Sequence, residues 1–118
     1  MAFSESNISV SIPAGADLRT HQYKFVSIDA NGAAVLTADD AHADGIVQNA
    51  PNTGEPAEVT IMGVAKLACG AAVTRGGDVG SGANGAGKTA ATASAVLGTA
   101  LQTGADGRII SILFHPRG

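Results

Sequence analysis

Two short stretches decide the fold of this chain: Ala30-Asn31-Gly32-Ala33 and, 53 residues later, Ala83-Asn84-Gly85-Ala86. An Asn-Gly pair between apolar segments favours a tight hairpin turn, because both residue types tolerate a positive φ. Apolar runs flank the first pair, at residues 23–28 and 33–36. The first pair therefore predicts a β-hairpin, and its recurrence predicts a second one.

The same offset of 53 residues aligns other turn signals of the two halves. Gly45 falls on Gly98 and Gly54 falls on Gly107. Glycines at matching places indicate matching turns, because only glycine enters positive φ without steric cost. The chain is therefore predicted to contain an internal duplication. The expected structural turn residues are Asn31, Gly32, Gly45, Gly54, Asn84, Gly85, Gly98 and Gly107.

Length and hydrophobic periodicity predict a mainly β chain that folds as one small, β-barrel-like domain. The 118 residues suit a single domain, and short apolar runs alternate with glycine-rich turns. Residues 37–45 are expected to form the one short helix, with Thr37 as cap, acidic residues in the first turn and Gly45 as terminator. Aromatic residues are only 3% of the chain, so the core is expected to be thin and association to add burial.

Residues 1–16 are predicted to be an extended N-terminal arm, followed by the β-rich domain of residues 17–118. In the arm, Ile8, Val10 and Ile12 alternate with polar residues, which is the period of a half-buried strand. Such a strand can pair within the domain or with the sheet edge of a neighbouring molecule. The sequence leaves both pairings open.

Charge and composition argue against several classes of protein. The net charge is −3, and the seven Lys and Arg residues are scattered singly, whereas nucleic-acid binders carry a basic stripe. No apolar run approaches the roughly 20 residues of a membrane span, and the first residues do not resemble a signal peptide. We therefore expect a protein made in the cytoplasm that binds neither nucleic acid nor membrane. The single cysteine, Cys69, allows no intrachain disulfide.

The stretch Gly82-Ala83-Asn84-Gly85-Ala86-Gly87-Lys88-Thr89 matches the Walker A pattern of phosphate-binding loops. Such a loop needs a buried strand before it and a helix after it. Residues 74–81 are too polar for a central parallel strand, and residues 90–98 would make a poor helix. The second predicted Asn-Gly hairpin accounts for the same residues. We therefore expect no nucleotide site, and we expect Gly85 to matter for folding and Lys88 to be dispensable.

No catalytic or metal-binding constellation is evident in the sequence. The three histidines, His21, His42 and His115, lie far apart, without Cys or carboxylate residues at ligand spacing. An acidic first helical turn would explain Asp39, Asp40 and Asp44 without a functional role. We expect neither enzymatic activity nor a cofactor.

The order of motifs from about Asp17 onward resembles one family. These motifs are residues 43–47, 58–65, 76–79, 84–88, 96–101 and 109–114. In this order they resemble the capsid cement, or head decoration, proteins of tailed bacteriophages. The resemblance implies a compact β-barrel-like domain that forms a homo-oligomer on the outer capsid surface and bridges subunits of the major capsid protein. The N-terminal arm lies outside the resemblance, and we expect Phe3, Ile8, Val10 and Ile12 to contact the capsid or an adjacent protomer.

The expected partners are therefore the major capsid protein and further copies of the chain, with a trimer as the first expectation and a dimer also compatible. Two other hypotheses for the function are compatible with the sequence. One is a different virion structural β-domain, such as a head-fibre base or a tail-associated protein. The more distant one is a P-loop nucleotide-binding protein. Location on the virion separates the first two, and nucleotide binding tests the third.

Overall fold

The computed structural model describes residues 7–115, which form nine strands and two short 3₁₀ turns. The strands are β1 (Asn7–Pro13), β2 (Phe25–Ile28), β3 (Ala34–Leu36), β4 (Gly45–Val47), β5 (Pro56–Ala68), β6 (Asp78–Ser81), β7 (Gly87–Thr89), β8 (Gly98–Ala100) and β9 (Ile109–Phe114). The 3₁₀ turns are Ala83–Gly85 and Ala93–Ala95. The prediction of a mainly β domain is confirmed.

The strands form one antiparallel sheet that curls into a half-barrel. Its order is β3-β2-β4-β5-β9-β8-β6-β7, with β1 also paired to β5. Outward from the central β5–β9 pair, one side of the sheet has the order β5-β4-β2-β3 and the other side has the order β9-β8-β6-β7. The two orders are the same when β6, β7, β8 and β9 are taken as the counterparts of β2, β3, β4 and β5. Each of these four strands starts 53 residues after its counterpart, at residues 25 and 78, 34 and 87, 45 and 98, and 56 and 109.

The pairing register repeats as well as the strand positions. Val26 lies opposite Gly45, and its counterpart Val79 lies opposite Gly98. In the same way, Val47 lies opposite Val59, and their counterparts Ala100 and Ile112 lie opposite each other. Equal spacing, equal order and equal register together confirm the predicted duplication.

Strand β5 belongs to both halves. Its first part pairs with β1 and β4, and its last six residues pair with β9. The two parts meet at Gly63, whose φ is 101°, next to an irregularity in the β1–β5 register. Each half then closes on itself through one parallel bridge, from Ala14 to Ala34 in the first half and from Cys69 to Gly87 in the second.

The buried apolar side chains form two clusters, one for each half. The first-half core contains Ala14, Leu18, Val26, Ala34, Val47, Ala57 and Val59. The second-half core contains Ala65, Leu67, Cys69, Val73, Val79, Leu97, Ala100, Ile110, Ile112 and Phe114, and it also takes in Phe25, Ala43 and Ile46 from the first half. The Phe25 and Phe114 rings lie 6.2 Å apart between centroids. Because first-half side chains complete the second-half core, the two halves fold as one unit.

The N-terminal strand takes the first of the two partners that the sequence left open. Strand β1 pairs with β5 of the same chain, with Val10 opposite Val59 and Ile12 opposite Ala57. Residues 7–13 of the predicted arm are thus a strand of the sheet. Residues 1–6, which include Phe3, lie outside the described residues.

The prediction of a helix over residues 37–45 is wrong. The Thr37 hydroxyl is buried and hydrogen-bonds the Ser27 hydroxyl at 2.9 Å, so it does not cap a helix. Asp40 has a left-handed φ of 58°, and its backbone N–H donates to the Ser81 carbonyl at 2.8 Å. Gly45 begins strand β4. Contacts with the second half therefore set the conformation of this segment and override its weak helical preference.

Both Asn-Gly pairs lie in hairpin turns, but the two turns differ in backbone conformation and in hydrogen bonding. In the first turn only Gly32 has a positive φ, 77°, and the Asp29 carboxylate accepts the N–H groups of Asn31 and Ala33. In the second turn both Asn84 and Gly85 have positive φ values, 55° and 74°. A shared carboxylate thus organises the first turn, whereas backbone conformation organises the second.

The other predicted turn glycines fall into two pairs. Gly54 and Gly107 lie in the turns before β5 and β9, each with a φ of 83°. Gly45 and Gly98 are not turn residues, because they begin β4 and β8. A Cβ at Gly45 would overlap the Val59 side chain, and one at Gly98 would overlap the Leu113 carbonyl, so both allow close approach of strands.

Replacing Gly85 with alanine is expected to destabilise the domain more than replacing its counterpart Gly32 with alanine. Both glycines have left-handed φ values, so each substitution carries a similar backbone cost of about 1 kcal/mol. A Cβ at Gly32 meets nothing within 4 Å, whereas one at Gly85 overlaps the Phe25 backbone. Free energies of unfolding from urea titration measure the difference. Equal losses in the free energy of unfolding for the two variants would contradict close packing of this hairpin against the Phe25 backbone.

Candidate contact surface and the Walker A segment

The Walker A segment forms the hairpin between β6 and β7. The Gly82 N–H donates to the Ala86 carbonyl at 2.6 Å, and the Ala86 N–H donates to the Ala83 carbonyl at 3.2 Å. A phosphate-binding loop needs free backbone N–H groups and a following helix, whereas strand β7 follows this turn. The segment therefore has hairpin geometry and not P-loop geometry.

Lys88 joins the two halves of the domain. Its ammonium lies 2.8 Å from an Asp39 carboxylate oxygen and 2.7 Å from an Asp40 oxygen, and its side chain is 24% exposed. Hydrogen bonds to Asp39 and then Asp40 raise the pKa of Lys88. The ion pair ties the loop between β3 and β4 to strand β7, so the structure gives Lys88 a contact that the sequence did not suggest. Exposed ion pairs stabilise little, and the effect of losing this one is expected to be small.

A small cavity of about 150 Å³ lies beside Lys88. Its lining residues are Asp39, Gly70, Ala71, Gly82, Ala83, Ala86, Gly87 and Lys88. The two charged members already pair with each other, and the rest are glycine and alanine. The cavity therefore presents little chemistry to a ligand.

The three predicted contact residues that the structure describes do not share one environment. Ile8 is 51% exposed and lies opposite Met62, which is 43% exposed. Val10 and Ile12 are partly buried and pack against the first-half core. The structure therefore brings Ile8 together with Met62, whereas Val10 and Ile12 hold β1 onto its own domain.

Further apolar side chains are exposed close to Ile8 in the sheet. Leu113 on β9 is 40% exposed and lies opposite the half-buried Val64 on β5, two residues from Met62. We define Ile8, Met62, Val64 and Leu113, on β1, β5 and β9, as the apolar face. Clustered exposed apolar residues are typical of interaction sites.

Sequence reasoning missed the contribution of Met62 and Leu113 to this face. The strand alternation contained a signal for Leu113, because it lies between Ile112 and Phe114, which are both buried. Met62 is harder to assign, because the neighbouring Gly63, with a φ of 101°, departs from the regular strand geometry of β5.

A polar groove of about 190 Å³ lies next to the apolar face. It is lined by Asn7, Tyr23, Gln48, Val64, Ala65, Lys66 and Ser111. The Lys66 ammonium lies 5.9 Å from the centroid of the Tyr23 ring, within cation–π range. One side of the groove is the edge of β5 that faces away from β9.

No group of three or more His, Cys, Asp or Glu residues among residues 7–115 is placed to hold a metal ion. No helical segment in this part of the chain is long and apolar enough to cross a bilayer.

The fold and the apolar face define a duplicated β half-barrel with a surface suited to protein contact. No protein-family model matches the chain, and no curated protein matches it. Among solved structures, the chain is similar to the head fibre gp8.5 N base of bacteriophage phi29, with a TM-score of 0.77 and 14% sequence identity. The match covers 93% of this chain and 95% of that chain. It establishes a shared fold.

Replacing Lys88 with methionine is expected to lower the melting temperature slightly at neutral pH and to leave ATP binding absent, as in the parent chain. The decrease should vanish when Asp39 and Asp40 are both asparagine, because the ammonium then has no partner. Differential scanning calorimetry measures stability, and titration calorimetry measures ATP binding. ATP binding that depends on Lys88 would contradict the hairpin assignment.

The same ion pair gives a pH dependence. The carboxylates raise the pKa of Lys88 above its usual 10.5, so the stabilisation is complete below that pH. It is lost as the pH rises through the higher pKa of the folded state. The melting temperatures of the parent chain and the methionine variant should therefore converge in strong alkali.

Proposed function

We propose that this chain is a structural protein of a tailed-phage virion and acts as a head-attached base domain. The observation that carries the proposal is the agreement in fold with the phi29 head fibre base along almost the full length of both chains. This agreement favours the hypothesis of a head-fibre base over the hypothesis of a cement protein. The attachment partner in the proposal is the major capsid protein.

The surface and the cores suit an attachment role. A domain with two thin cores gains stability when it binds a folded partner, because binding to the native state alone shifts the unfolding equilibrium. Contacts repeated over a capsid lattice, or among copies of the chain, also add through multivalency. We therefore propose a non-enzymatic role and a homo-oligomer, with a trimer as the first expectation.

The apolar face is the proposed capsid contact. Burial of apolar surface contributes roughly 25 cal/mol per Å², and Ile8, Met62 and Leu113 are each 40% exposed or more. Val10 and Ile12 already pack inside the domain. Of the described residues expected from sequence, only Ile8 therefore enters the proposed contact.

The decisive experiment mixes the purified chain with phage heads that lack it, both mature and immature, and measures bound protein after sedimentation. Stoichiometric binding to mature heads is expected. Binding to neither form would contradict the virion role. Binding that leaves the melting temperature of the heads unchanged supports a base domain, whereas a clear increase supports a cement protein.

The double substitution of Met62 and Leu113 with lysine is expected to weaken head binding by roughly tenfold or more, because it places unpaired charge in a desolvated contact. The matched control is Ile28→Lys, since Ile28 is 43% exposed, as Met62 is, but lies on β2. The control should bind like the parent chain, and all variants should keep the parent melting temperature to within a few degrees. Equal weakening by the control would rule out the apolar face as the contact.

A further inference from the structure

The tyrosine in the groove has a backbone conformation for which the second half of the chain uses glycine. Tyr23 has a left-handed φ of 65°, and its counterpart Gly76 has a φ of 81°. The Tyr23 N–H donates to the Val47 carbonyl at 2.8 Å. In the second half, the Gly76 N–H donates to the Ala100 carbonyl at 2.7 Å. The fold therefore requires a left-handed residue at this position, and glycine meets that requirement without steric cost.

The aromatic ring of Tyr23 is thus present in spite of a backbone cost. Bulky side chains are rare at positive φ, and residues strained in this way cluster at functional sites. The backbone contacts of Tyr23 do not require the ring, because a main-chain N–H and carbonyl make them. The ring instead lines the polar groove, where the Lys66 ammonium lies 5.9 Å from its centroid. What the ring does is position this ammonium beside the groove.

The Lys66 ammonium has no carboxylate partner in the described part of the chain. Lys66 is the one charged side chain among the groove residues. The ion pairs within residues 7–115 use Arg19 and Lys88 as their cations and do not include Lys66. The groove therefore offers a positioned positive charge to a group of opposite charge.

The edge of β5 beside Lys66 also offers a backbone donor. The Ser111 N–H donates to Gln102 Oε1 at 2.8 Å, and its carbonyl accepts the Leu101 N–H at 3.0 Å, so the Ser111 backbone points away from β5. In an antiparallel ladder, its register partner Lys66 then points its N–H and carbonyl away from β9, into the groove. Gln48 Nε2 donates to the Lys66 carbonyl at 3.1 Å, whereas no acceptor within residues 7–115 meets the Lys66 N–H.

We propose that the groove binds an extended acidic segment of the major capsid protein, whose carbonyl accepts the Lys66 N–H and whose carboxylate contacts the Lys66 ammonium. This inference rests on the proposed function and gives the chemistry of the attachment partner. A segment that adds to a sheet edge places alternate side chains on the same face. A residue two positions from the acidic one then reaches Val64, which belongs to both the groove and the apolar face. We expect that residue to be apolar.

Titration of the full chain with short peptides tests the groove without phage heads. The probe is the capped peptide Leu-Ala-Glu-Ala-Leu, which places an apolar residue two positions from the acidic one in either strand direction. Saturable chemical-shift changes are expected at the Lys66 amide. The matched peptide with glutamine in place of glutamate should bind roughly threefold more weakly, because it lacks the charge. Equal binding of the two peptides, or no binding of either, would overturn the proposal.

The variant Tyr23→Gly separates the ring from the backbone. The second half already uses glycine at this position, so the melting temperature should stay within a few degrees of the parent value. Binding of the glutamate peptide should weaken roughly threefold, because the ammonium loses the ring that positions it. A large decrease in melting temperature would assign the ring a purely structural role and contradict its part in binding.

A charge variant keeps the test independent of the tyrosine variant. Lys66→Met should bind the glutamate and glutamine peptides equally. The control Lys88→Met removes the same charge outside the groove and should still prefer the glutamate peptide. A preference for glutamate that survives in Lys66→Met would overturn the proposal. Peptide binding that appears only after residues 1–6 are deleted would assign the groove to the chain's own N-terminus and would also overturn it.

Sedimentation with phage heads distinguishes a failure of this inference from a failure of the proposed function. The variants Tyr23→Gly and Lys66→Met should each bind heads several-fold more weakly than the parent chain, and Lys88→Met should bind like the parent. Undiminished binding of both groove variants would overturn the inference and leave head attachment intact. Absent binding of the parent chain would contradict the proposed function and the capsid as the source of the segment.

Discussion

The rest of the structure depends on strand β5, whose 13 residues run unbroken through both halves. Ala57 and Val59 belong to the first-half core, and Ala65 and Leu67 belong to the second-half core. The two parts meet at Gly63, whose φ of 101° departs from regular strand geometry. Neither core can open at β5 without disturbing the other, so thin cores with few aromatic residues still form one cooperative unit.

The two halves share a backbone plan but have diverged where they touch. Phe25 enters the second-half core, whereas its counterpart Asp78 is exposed. Lys88 pairs with the first-half loop, whereas its counterpart is the apolar Val35. The contact between halves is therefore directional, because the residues that make it on one side have no equivalents on the other.

The Walker A segment shows that structural requirements alone can produce a sequence that matches a functional motif. Asn84 and Gly85 satisfy left-handed positions in a hairpin, and Lys88 reaches carboxylates across the joint between halves. The same glycine-rich turn would cradle phosphate only if its N–H groups were free and a helix followed. Within residues 7–115, the exposed apolar side chains Ile8, Met62 and Leu113 lie instead on β1, β5 and β9.

The sequence by itself determined the β class, the duplication and both Asn-Gly hairpins, because turn residues act locally through their own backbone preferences. It did not determine the loop at residues 37–45, whose Asp39 pairs with Lys88, 49 residues away. Nor did it show that Met62 joins Ile8, or that Asn7, Gln48 and Lys66 line one groove. The long-range pairing of β1 with β5 and the curl of the sheet bring these side chains together. Both depend on contacts between residues far apart in the chain, which no local pattern of residues specifies.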